Sequence, residues 1–307
     1  MARIISSIAL LVWAAASFAQ DATPWQLIHP NSKALIGIQW AAVQNSEVGP
    51  WLRERWIGDL EIPGVDFNKD VQQILISSPG SAGTGEPPLL IAVRGVFDQK
   101  QVETALAHQG MVKQMFSGTP VFRPKARGSA DPAFALLTDQ LILIGDPASL
   151  FSTIERSRLP RQEESGSFLQ KAQSLDARYD CWALLSDSGS MQNFMLASLF
   201  GKTLSERTQA FEAGISVRDG LAIDLTMTTE DERAAETLQT NLKGQVRLAA
   251  QNPKDWAGKL HVSTDHANVI MSLRMPQDQV QRAVAAKPQM IRIDGLDDGP
   301  RFVPFKP

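Results

Sequence analysis

Apolar and polar positions along this chain alternate in one recurring order: strand, short turn, strand, helix. The order is clearest from Phe134 to Arg156. Leu136 and Leu137 precede a polar turn at Thr138, Asp139 and Gln140, and Leu141 to Ile144 form a second apolar run. At Gly145-Asp146-Pro147 the period changes from two to about 3.6. Asp146 can accept from the free N–H groups of a helix start, and Pro147 suits the first helical position. Leu150, Phe151 and Ile154 then share one helical face.

The same ββα order recurs three times. Residues 71–108 carry Ile74 to Ser77, a Gly/Pro-rich loop, Leu89 to Val93 and a helix capped by Asp98. Residues 213–244 carry Ile215 and Val217, a turn at Arg218-Asp219-Gly220, then Leu221, Ile223, Leu225 and Met227. A capping box at Thr229 and Glu232 is expected to start the helix that follows. Residues 260–286 carry a strand on each side of Asp265-His266-Ala267, then a helix from Pro276.

Each pair of ββα units follows one further strand and helix, at 33–39 and 47–57 in the first half and 179–186 and 190–200 in the second. The expectation is an α+β protein with antiparallel sheets, helices on one face, and two duplicated β-α-ββα-ββα halves at 31–158 and 175–287. Residues 159–174 read as a linker and 288–307 as an extended tail. Met111 to Phe116 and Pro120 to Phe122 read as an extra hairpin with no counterpart in the second half.

The halves differ in patterning. Leu89 to Val93 and Leu141 to Ile144 are apolar throughout, so both faces of those strands need cover. Strands of the second half alternate, setting Asp224, Thr226, His261, Ser263 and Arg274 opposite their apolar residues. Asp224, His261, Ser263 and Arg274 are therefore candidate lining for a polar platform, or simply a solvated sheet face. Helix 190–200 is apolar nearly all round. Met191 and Met195 are candidates for apolar ligand binding, and Met191, Phe194, Met195 and Phe200 for a protein partner or self-association.

Composition narrows the classes. Hydrophobic residues make up 43% and charged residues 21%, which describes a folded chain. A net charge of −3 with dispersed Lys and Arg argues against a nucleic-acid partner. Residues 1–19 have the form of an export signal: Arg3, an apolar run from Ile4 to Ala16, and Ser17-Phe18-Ala19 before a cut between Ala19 and Gln20. Beyond it no apolar run is long enough for a transmembrane span, so a periplasmic or secreted chain is expected. Cys181, the one cysteine, reads as a buried inert thiol.

Motifs for chemistry fall short. The glycines at 80, 83 and 85 lack phosphate-loop spacing, Ser186 to Ser190 lacks a nucleophile-elbow frame, and the acidic tail lacks EF-hand spacing. His261 and His266 have no third ligand at metal spacing, so neither metal nor cofactor is expected. Trp40, Trp51 and Trp56 read as packing for a helix on a sheet.

The run from Leu141 to Arg156, with an export signal and the tail Ile291-Arg-Ile-Asp-Gly-Leu296, resembles exported bacterial proteins of unknown function. That resemblance carries over no catalytic residue. The expected function is a non-enzymatic binding or assembly module. The alternatives are an exported hydrolase using His261 with Asp224, and a carrier of apolar ligands.

Overall fold

The computed structural model describes residues 23–53, 60–80, 88–125, 132–159, 166–186, 208–249 and 259–285. The expected leader, the glycine-rich tip after Gly80, the helix at 190–200 with Met191, Phe194, Met195 and Phe200, and the tail 288–307 lie outside these residues.

The strands are β1 (Ala34–Ile38), β2 (Val71–Ser78), β3 (Leu90–Gly95), β4 (Val112–Phe116), β5 (Thr119–Arg123), β6 (Ala133–Thr138), β7 (Leu141–Gly145), β8 (Cys181–Ser186), β9 (Thr208–Ser216), β10 (Leu221–Thr229), β11 (His261–Asp265) and β12 (Asn268–Met275). The helices are α1 (Trp40–Val43), α2 (Gly49–Leu52), α3 (Phe67–Asp70), α4 (Gln99–His108), α5 (Pro147–Ser157), α6 (Ser167–Arg178), α7 (Glu232–Ala249) and α8 (Gln277–Ala285). A 3-10 turn at Pro24–Leu27 precedes β1.

All strands among the described residues join one 12-stranded sheet in the order β11-β12-β10-β9-β8-β1-β2-β3-β7-β6-β5-β4. Every pairing is antiparallel. The protein is thus α+β, on one continuous sheet rather than several. Near its middle β1 pairs with β8, from Ala34 against Leu185 to Ile38 against Cys181.

Side-chain alternation sorts the core into two layers. On one face lie Ile36, Ile74, Ile76, Val93, Ile142 and Ile144 with Val102 and Leu106 of α4 and Leu238 and Leu242 of α7. On the other lie Leu35, Leu75, Leu90, Leu141 and Leu143 with Leu27, Leu150 and Ile154 of α5, and Ala172 and Leu175 of α6. Helices cover both faces, which corrects the one-face expectation. The physical reason is in the strands themselves: β1, β2, β3 and β7 present large aliphatic groups on each side, and leaving either wet forfeits roughly 1.5–3 kcal/mol per side chain.

The second cover comes from the 3-10 turn, α5 and α6. Helix α6 begins inside the segment read as a linker. It packs through Ala172 and Leu175. The cover ends there. On the far side of β9 this face of β10, β12 and β11 carries polar groups, while α7 and α8 bury the opposite face through Leu238, Leu242 and Val280.

Local capping accounts for several boundaries. Asp98 accepts from the N–H groups of Lys100 and Gln101 at 3.0 and 3.2 Å. Asp146 accepts from Ser149 N–H at 3.0 Å, with Pro147 in the first turn. Helix α7 departs from expectation. Asp231 caps it by accepting from Ala234 N–H at 2.7 Å, while Thr229 donates its hydroxyl to the carbonyls of Asp231 and Ala267.

Candidate functional site

Register places the candidate polar residues on one face. His261 opposes Ser272, Ser272 opposes Asp224, Asp224 opposes Gly214, and Gly214 opposes Trp182. The row continues through Gly37 to Leu75. It runs from the solvent-facing end of the sheet into the core under α6.

Two glycines let large rings lie flat on this row. A Cβ on Gly214 would overlap the Tyr179 ring, and one on Gly37 would overlap the Trp182 indole. Trp25 stacks on Trp182 with centroids 5.8 Å apart and planes 6° from parallel. Trp182 Nε1 donates to Asp176 Oδ1 at 2.8 Å, and Gln39 Nε2 donates to the same oxygen at 3.0 Å. Asp176 therefore pins α6 to the β1–β8 pair.

The Tyr179 hydroxyl donates to Asp224 Oδ2 at 2.8 Å. Arg274 Nη2 donates to both Asp224 oxygens at 2.7 and 2.8 Å, and Nη1 donates to the carbonyls of Ile223 and Leu273 at 3.0 and 2.9 Å. Such a forked cation–carboxylate contact holds both side chains in a defined geometry. Burial first, then the hydrogen bond to Asp224 and its charge, raise the Tyr179 phenol above its ordinary value of 10.0.

A second carboxylate does similar work behind the row. Asp180 is wholly buried; it accepts from Val217 N–H at 2.9 Å, Ser216 Oγ at 3.2 Å and Arg218 Nε at 2.8 Å. Lys171 of α6 forms an ion pair with Glu212 of β9.

The four sheet candidates thus divide. Asp224 and Arg274 are joined directly. His261 and Ser263 are exposed on β11. Ser272 stands between His261 and Asp224, which sets them two strand spacings apart, roughly 9.5 Å. The Asp224 oxygens are already held by Arg274 and Tyr179. His266 pairs with Asp265 across 2.8 Å and adopts a left-handed turn with φ 52°. Among the described residues no three His, Cys, Asp or Glu side chains gather as metal ligands.

Cys181 is fully buried, and burial pushes its thiol far above the ordinary range, with the Asp180 charge adding to the shift. It is inert at neutral pH. Trp40 is packed, donating Nε1–H to Phe67 O at 3.1 Å. An open cleft of about 500 Å³ lies between Gly64 and α4, lined by Asp98, Lys100, Gln101, Thr104 and His108. Helix α4 packs on the opposite face of the sheet from the polar row.

Sequence reading missed Tyr179, Asp176 and Asp180. One signal was available. Tyr179 is the chain's single tyrosine, and it opens directly into β8 between Arg178 and Asp180.

The fold and this row define an α+β protein on one large antiparallel sheet, with a charge-paired polar face at one end. No protein-family profile matches the chain, and no curated protein matches it. Among solved structures it is similar to crystal form I of TP0453, with a TM-score of 0.50 and 8% identity, over 87% of this chain and 98% of that one. At that identity the likeness concerns the fold. Among the described residues no helix is long and apolar enough to cross a membrane.

Proposed function

We propose that this protein is an exported binding or assembly module whose working surface is the polar face of β10, β12 and β11. One observation carries the reading: Asp224, Arg274 and Tyr179 neutralise and orient one another on a face that no described helix covers. A carboxylate bound by a guanidinium and a phenol is a fixed surface feature; it is a poor partner for a distant histidine. The export signal at 1–19, read from sequence, supports a periplasmic or secreted location.

Strand order supports a duplicated origin. From the β1–β8 pair outwards the halves run β1-β2-β3-β7-β6 and β8-β9-β10-β12-β11, which match hairpin for hairpin. The β4–β5 hairpin is then an insertion at the far end. In this reading one copy kept a doubly covered sheet, and the other gave up cover on one face and gained a binding surface.

The test is native mass spectrometry of the protein recovered from its own compartment, beside a variant with Thr226→Arg. Thr226 lies next to the charged row, paired with Glu212 and Ile270. The expected result is a macromolecular complex that this variant loses while keeping its circular dichroism. Ester, peptide or phosphoester turnover abolished by His261→Ala would instead establish the hydrolase. A co-purifying lipid-sized mass would establish the carrier.

A further inference from the structure

The two ends of the sheet are treated differently. At the β11 end, Thr264 N–H points outwards. The Gln239 side chain of α7 meets it, its oxygen accepting at 3.1 Å with the amide turned towards the strand. At the β4 end no such cap is present among the described residues. Val112 and Met115 of β4 are 42% and 58% exposed, two of the four large exposed hydrophobics among those residues.

The pattern of free backbone groups on β4 follows from its turn. Ser117 and Gly118 have φ of 47° and 74°, as in a two-residue primed hairpin, and Phe116 faces Thr119 across it. Hydrogen-bonded and non-bonded pairs alternate from there. Phe116, Gln114 and Val112 bond inwards to β5. Lys113 and Met115 direct N–H and C=O outwards.

Lysine on an edge strand ordinarily deters strand addition. Here Lys113 is drawn back from the edge. Its Nζ contacts both carboxylate oxygens of Glu103 on α4 at 2.8 Å and lies 5.8 Å from the Phe122 ring centre.

We infer that the β4 edge pairs antiparallel with β4 of a second copy of this chain, about a twofold axis at Gln114. Register selects this arrangement. Outward groups must meet outward groups. Centring on Lys113 would set two lysines face to face, and centring on Met115 would run Lys113 into the Ser117 turn. Centring on Gln114 places each Lys113 opposite a Met115, closes four backbone hydrogen bonds and opposes no like charges. Val112 then faces Phe116, and the two Gln114 amides meet. Five residues a side bury less than the roughly 1,200 Å² of a standard interface, so the dimer is weak and concentration-dependent. The β4 edge is at the opposite end of the sheet from Asp224, so this pairing and the polar-face reading stand or fall separately.

Sedimentation equilibrium over a wide concentration range tests it, with Met115→Lys, Met115→Glu and Met115→Pro beside the wild type. Met115 is exposed and its N–H is not used by β5, so all three variants keep the hairpin. The wild type should dimerise reversibly. Met115→Lys, opposing Lys113 twice per dimer, should raise the dissociation constant about tenfold, and Met115→Glu should lower it. Met115→Pro, lacking two of the four donors, should abolish pairing. A wild-type chain that is monomeric throughout overturns the inference. So does a dimer whose constant ignores all three changes.

Discussion

Asp180 shows how much one side chain can hold. Its two oxygens gather a backbone N–H, a hydroxyl and a guanidinium from the end of β9 and the loop beyond. Asp180→Ala leaves the Val217 N–H unmatched in a buried place, at a cost of about 1–3 kcal/mol; urea unfolding followed by tryptophan fluorescence measures it. Gly214→Ala should lose a similar ~1–3 kcal/mol, because the new methyl displaces the Tyr179 ring. Tyr179 also sets a pH response. Its folded-state value is raised, so its contribution is complete below pH 10.0 and is lost as pH climbs through the raised value. Tyr179→Phe should therefore show a flatter alkaline fall in melting temperature than the wild type.

Elements followed their sequence signals where those signals were local. Asp98 and Asp146 cap the helices their spacing announced, and the β4–β5 hairpin turns at Ser117 and Gly118. Asp146→Ala should cost about 1 kcal/mol, read from the same urea midpoint. Helix α6 is masked in the sequence although Phe168, Leu169, Ala172 and Leu175 have helical spacing, because the polar Arg158 to Ser167 run before it reads as loop. The cap of α7 was misplaced by two residues for a related reason. Thr229 satisfies the spacing of a capping box, but its hydroxyl is committed to the carbonyl of Ala267, a partner 38 positions away.

For the whole molecule, patterning told which strands needed two covers and which had a polar side, since that depends on alternation alone. It left open where the covers come from. That Leu27, Leu150 and Leu175 converge on one face follows from the path of the chain around the sheet. The polar row was legible in part. Asp224 and Arg274 were in view as same-face residues, whereas Tyr179 reaches Asp224 only because Gly214 leaves room for its ring. A chain ending at Arg178 keeps β1 through β7 but lacks the central neighbour of β1. It should associate through that bare strand, visible as thioflavin-positive precipitate absent from the full-length protein.

The β1–β8 pairing also has a consequence in time. Ile38 and Cys181 are neighbours near the middle of the sheet, yet the ribosome makes one long before the other. On the ribosome the edge of β1 that faces β8 therefore stays bare until Ser186 has emerged, while its other edge already has β2. Strands β9 to β12 are made later still and reach β1 only through β8, so capture of that bare edge is what joins the two ends of the sheet.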